Sequence, residues 1–114
     1  MSEVKDLMKN ILEMNIEKMI DSLVKTPAFN EKGLSKEQWL KTRKYPVCLI
    51  RQVAIFILCK RSNRSGNYIA KCFGKNHATL LYTNKKVSDM LDMKYEDVCR
   101  YYLLLEKFFE WIKF

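Results

Sequence analysis

Apolar residues in this chain recur at intervals of three and four, which fits one face of an α-helix and no face of a β-strand. Val4, Leu7, Met8, Ile11, Leu12, Ile16, Met19, Ile20 and Leu23 mark a first helix in this way. With only three Gly and two Pro there is little material for the turns of an all-β fold, so the spacing predicts an all-α protein. At 114 residues the chain is sized for a single domain (1–114) with one core. Residues 1–25 form its N-terminal helix, 34–91 its central unit and 95–114 a C-terminal helix, giving a compact bundle of about six helices.

Stop and start signals set the boundaries. Thr26-Pro27 ends the first helix and a loop runs to Gly33. Leu34-Ser35-Lys36-Glu37-Gln38-Trp39 then begins a short one, with Ser35 as N-cap, Gln38 closing a capping box and Leu34 stapled to Trp39. A third helix runs from Pro46 to about Lys60, burying Val47, Ile50, Val53, Ala54, Ile57 and Leu58. After the break at Ser62-Asn63-Arg64, Ser65 caps a helix whose core contacts are Tyr68, Ile69 and Cys72. Gly74 takes positive φ in the tight turn that follows, and Asn76 caps the next helix, Asn76 to Leu91. Its inward residues read as Leu80, Leu81, Val87 and Met90, leaving Asn76, His77, Thr79, Tyr82, Lys85 and Lys86 at the surface. Val98, Tyr101, Tyr102, Leu105, Phe108, Phe109 and Ile112 form a last, aromatic stripe. It is expected to pack on the Val4–Leu23 helix within one monomer; a homodimer contact or a protein-docking surface is the alternative.

Charge is segregated along the chain. Between Gln38 and Ser88 stand eleven Lys or Arg and no Asp or Glu, while the remaining residues carry a net −3. A solvated surface normally interleaves both signs, so the middle is expected to meet a polyanion. Enzyme chemistry is not expected. Gly33, Gly66 and Gly74 are isolated and make no phosphate loop, so no nucleotide is expected. The single His77 has no carboxylate in the central segment to orient it as a base. Cys48, Cys59, Cys72 and Cys99 lack zinc-ligand spacing and read as reduced thiols in the core, so neither metal nor other cofactor is expected. The Val47–Cys59 run is too short and too polar to span a bilayer, and Glu3, Lys5, Asp6 and Lys9 break any signal-peptide core. A cytoplasmic protein without membrane contact is the expectation.

Two helices joined by a short turn, the second opening with small polar residues in a basic envelope, fit a helix-turn-helix. The particular residues go further: Arg51-Gln52-Val53-Ala54-Ile55-Phe56-Ile57-Leu58, then Asn63, Ser65, Tyr68-Ile69-Ala70, Phe73-Gly74 and Lys75-Asn76-His77-Ala78-Thr79-Leu80-Leu81. Together they resemble the C-terminal DNA-binding domain of the bacterial replication initiator DnaA. The likeness covers about Leu34 to Leu91, and the His-x-Thr at the start of the recognition helix is its most specific part. The resemblance implies double-stranded DNA as partner, with Arg51 in a minor groove and the helix from Asn76 in the major groove. It gives base contacts to Arg51, Asn76, His77, Ala78, Thr79 and Tyr82. Phosphate contacts fall to Arg43, Lys44, Arg64, Ser65, Lys75, Lys85 and Lys86.

Each role also stands on its own chemistry: Arg in a narrow A/T minor groove, Asn on an adenine edge, Thr on a thymine methyl. The plainer readings keep Asn76 as an N-cap, Arg51 as a solvated helix residue and His77 as a local hydrogen-bond donor. This sequence departs from the family in a turn one residue shorter, in Ala78 for a hydroxyl residue, in Asn76 for Asp and in Tyr82 for His. The target need not be the initiator's own box, and the family's ATPase domain is not expected before the module. The expected function is therefore sequence-selective duplex binding in transcription control or replication, in a bacterial, phage or mobile-element setting. A protein-interaction adaptor or structural protein using the Val98–Phe114 helix, with DNA binding weak or lost, is the alternative. RNA binding fits less well, because only Tyr82 offers a stacking ring near the motif.

Overall fold

Eight of the fifteen residues of the helix Val47–Arg61 are buried, on more than one face, and three other helices pack against it. The structure, a computed structural model, describes residues 16–62 and 64–110. Among them are six helices and no strand: α1 (16–25), α2 (Lys36–Lys41), α3 (Val47–Arg61), α4 (Gly66–Cys72), α5 (His77–Asp92) and α6 (Glu96–Glu110). The expected all-α architecture is the one observed. Val4 to Leu12 of the first stripe and Ile112 of the last lie outside the described residues. Helices α4, α5 and α6 each pack on α3, and α5 also touches α4 and α6.

Helix α1 offers Ile16, Met19, Ile20 and Leu23 to the core, all fully buried. The loop after it is organised by one buried side chain. Asn30 Nδ2 donates to Val24 O at 2.7 Å and Leu34 O at 2.8 Å, while its Oδ1 accepts from Leu34 N at 2.9 Å. The capping box of α2 has both halves, Gln38 N to Ser35 Oγ and Ser35 N to Gln38 Oε1, each at 3.2 Å. Trp39 fills the space beneath, fully buried, with Nε1 donating to Phe29 O at 2.9 Å.

The aromatic stripe of α6 is covered within the chain, and the expected partner helix, Val4–Leu23, lies mostly outside the described residues. Val98, Tyr101, Leu105 and Phe109 are buried, and α6 packs on α3 and α5. Phe56 and Tyr102 bring their rings to 6.3 Å, and Arg61 pairs with Glu106 at 3.1 Å. Contact toward the N-terminal side comes from Phe29, in the loop after α1, whose ring meets Phe108 edge-on at 5.5 Å. Val53, Ile57 and their neighbours on α3 present apolar surface on several sides, and α6 packs there. No described helix is long and apolar enough to cross a membrane.

Candidate nucleic-acid interface

Helix α4 begins where Ser65 Oγ accepts from Tyr68 N at 3.2 Å and ends in a turn closed by two backbone bonds. Gly74 N donates to Lys71 O at 3.0 Å and Lys75 N to Ala70 O at 2.8 Å, with Gly74 at φ +68°. This pairing around a left-handed residue stops a helix and satisfies its last carbonyls. Two residues later Asn76 caps α5, its Oδ1 accepting from Thr79 N at 2.8 Å. Asn76 is therefore an N-cap in fact, and its Oδ1 is committed to the backbone. The amides of His77 and Ala78 are left at the helix N-terminus, where the dipole is positive and where anions bind.

Leu80, Thr83 and Val87 are the buried residues of α5. On the opposite side Ala78, Leu81, Tyr82, Lys85 and Lys86 are exposed, as are His77 and Thr79 at the helix start. Leu81, expected in the core, is 57 % exposed, and Thr83 occupies the inward position instead. Spacing explains the exchange. Leu80, Thr83 and Val87 fall in one line at three and four residues, whereas Leu81 is rotated about 100° from Leu80. The His77 ring lies over the start of α4: a methyl group added to Gly66 would stand 3.0 Å from His77 Nε2. Gly66 is thus the space that His77 occupies, a role its sequence position does not reveal.

Between α4 and α5 is an open depression of about 570 Å³, with Asn67, Tyr68 and Lys71 on one side and Lys75, Asn76 and His77 on the other. Asn67, Tyr68 and Lys71 were not among the expected site residues; their signal is the four-residue spacing of Asn67 and Lys71 on the outer face of α4. Arg43 and Lys44 are exposed beyond α2, and Lys85 and Lys86 lie about two turns along α5 from its start. Arg64 is half-buried in the α3–α4 link, with Nη2 enclosed and unpartnered among the described residues. Ser65 holds its hydroxyl on the α4 backbone.

Arg51 corrects the expectation of an outward, groove-reaching guanidinium. Only 5 % of the residue is exposed; Nη1 donates to Trp39 O at 2.7 Å and Nη2 to Cys48 Sγ at 3.7 Å. Helix α2 is six residues long, so its last carbonyls have no partner within the helix, and an Arg one turn into α3 reaches one of them. Burial holds the Arg51 pKa below its ordinary value, opposed by the neighbouring Cys48. The Lys75 ammonium is lowered as well, first by burial, then by the charge of Arg51, with Arg43 adding and Cys48 opposing. Arg43, Arg51 and Lys75 are thereby brought within one another's field.

Of the eleven central cations, Lys41 and Arg61 have carboxylate partners among the described residues, at 3.0 and 3.1 Å. Arg43, Lys44, Lys71, Lys75, Lys85 and Lys86, around α4 and α5, have none there. The four cysteines are free and half-buried. No protein-family model, curated protein or solved structure matches this chain.

Proposed function

We propose that this protein binds duplex DNA sequence-selectively, with the first turn of α5 in the major groove, and serves transcription control or replication rather than catalysis. The observation that carries this reading is the exposed N-terminus of α5, without an acidic residue in its first turn and ringed by cations that have no carboxylate partner among the described residues. Burial first, then the charges of Arg51 and Arg43, hold the Lys75 ammonium low, and a phosphate between Arg43 and Lys75 would offset the repulsive part. His77, Ala78, Thr79 and Tyr82 offer base edges an imidazole, a methyl, a hydroxyl and a phenol. Arg51 is assigned to the fold in this reading, as the clamp between α2 and α3. The resemblance to the DnaA C-terminal domain supports the same orientation and a bacterial or phage cytoplasm as the setting.

One observation disfavours the adaptor alternative: Val98, Tyr101, Leu105 and Phe109 of the stripe it relies on are buried, in a helix that packs on α3 and α5. Titration of fluorescent duplex and single-stranded oligonucleotides at several salt concentrations tests the proposal. Duplex preference is expected, with log affinity falling against log salt by about 0.9 per phosphate contact. Arg43→Ala, Lys44→Ala and Lys75→Ala should each flatten that slope by about one contact. Equal binding to single strands, or a slope near zero, would remove the proposal.

A further inference from the structure

Beside the segment that carries Arg43 and Lys44, the chain forms a cleft of about 480 Å³, within the range that accepts a small organic molecule. Its apolar floor is made by Phe29 of the loop, Pro46, Val47 and Ile50 where α3 begins, and Tyr101 of α6. Five charged residues stand around it: Lys32, Lys41 and Lys44 against Glu31 and Glu37. Glu37 is tied to Lys41 at 3.0 Å, which leaves Lys32 and Lys44 facing the single carboxylate of Glu31. The excess is positive, on a chain of net charge +8. An apolar floor under a cationic rim complements an amphipathic anion.

We propose that this cleft binds a small amphipathic carboxylic acid, its apolar body on Phe29, Val47, Ile50 and Tyr101 and its carboxylate on Lys44, and that the bound acid weakens DNA binding. The second half rests on the DNA reading above; the first does not. The coupling follows from Lys44 itself. One ammonium that neutralises the ligand carboxylate is no longer available to a DNA phosphate, and the antagonism is reciprocal by linkage. Thr42 also lines the cleft and its hydroxyl accepts from Lys44 N at 3.2 Å, so the ligand touches both ends of the short segment that presents Arg43.

Calorimetric titration of the full chain with indole-3-acetate and with octanoate, in the absence of DNA, tests the site. Saturable binding of one acid molecule per chain is expected, with the neutral amides of both acids about tenfold weaker. Ala28→Trp, at an exposed residue of the cleft wall, should block both acids, and Lys44→Gln should erase the difference between acid and amide. Failure of both acids to saturate, or undiminished binding by an Ala28→Trp chain of unchanged helicity, overturns the proposal. Should Ala28→Trp not fold, a Lys44→Gln chain that still prefers acid over amide overturns it. In a second arm, saturating acid should weaken duplex binding by about three- to tenfold in the wild type and leave Ala28→Trp unmoved. An unmoved wild type overturns the coupling, whereas a chain that binds the acid but no duplex overturns the DNA reading and leaves the site standing.

Discussion

Helices α5 and α6 are nearly equal in length, sixteen and fifteen residues, and both lie on α3, yet they are built for different ends. Helix α6 opens with Glu96 and Asp97 and carries Lys107 in its last turn, so side chains of the same helix answer both ends of its dipole. It buries Val98, Tyr101, Leu105 and Phe109 and fixes Arg61 through Glu106. Helix α5 has no acid in its first turn and no base in its last, and it buries only Leu80, Thr83 and Val87. One helix has its electrostatics settled inside the molecule; the other leaves a positive N-terminus and several cations for a partner. Burial therefore makes α6 part of the core, while α5, though it packs on α3, α4 and α6, keeps its outer face displayed.

The largest expected contrast is in stability. Leu105→Ala removes a fully buried side chain of α6 and should cost about 2–5 kcal/mol in urea unfolding. Leu81→Ala, on the outer face of α5, should stay within about 0.5 kcal/mol of the wild type. Comparable losses at the two positions would erase the distinction between a core helix and a displayed one.

Next comes the display itself. His77→Ala and Thr79→Ala should each cost about 1–3 kcal/mol on the preferred duplex while leaving affinity for unrelated duplex nearly unchanged. The specific and non-specific constants, measured in the same buffer with helicity verified, decide it. A proportional loss in both would mean that the first turn of α5 only holds phosphate.

How much of this was legible in the sequence depended on whether a signal was local. The capping box at Ser35 and Gln38, the caps at Ser65 and Asn76 and the left-handed Gly74 are read from a few adjacent residues, and all are present. The turn between α5 and α6 uses the same pair of bonds, Lys94 N to Leu91 O at 3.0 Å and Tyr95 N to Met90 O at 3.2 Å. There the left-handed residue is Lys94, at φ +58°, so no glycine announced it. Partners distant in sequence were harder. Periodicity reveals the buried face of α6 and not what covers it, so its packing on α3 and α5 is not announced by the stripe. Arg51 was read as outward because an Arg in a basic segment normally is; that α2 would end with a carbonyl in its reach depends on the placement of Trp39. Arg51→Met should therefore cost about 1–3 kcal/mol of stability by leaving the Trp39 carbonyl without its donor. Full stability with altered preference at an A/T-rich flank would show instead that the guanidinium leaves the interior for a minor groove.

The smallest effect in stability separates α5 from α6 by sign. Glu96→Gln removes a carboxylate from the positive end of α6 and should lower stability by about 0.3–1 kcal/mol at low salt. Ala78→Glu adds one to the first turn of α5, where none exists, and by the same physics should raise stability by a few tenths to about 1 kcal/mol. That gain should come with a loss, because the new carboxylate occupies the place proposed for DNA and repels phosphate. Duplex affinity should fall about tenfold or more while the unfolding midpoint rises. Opposed movement of the two measurements is the signature of a helix end kept free of acid for a ligand. A midpoint that rises with DNA affinity untouched would mean that the missing acid in α5 has no bearing on binding.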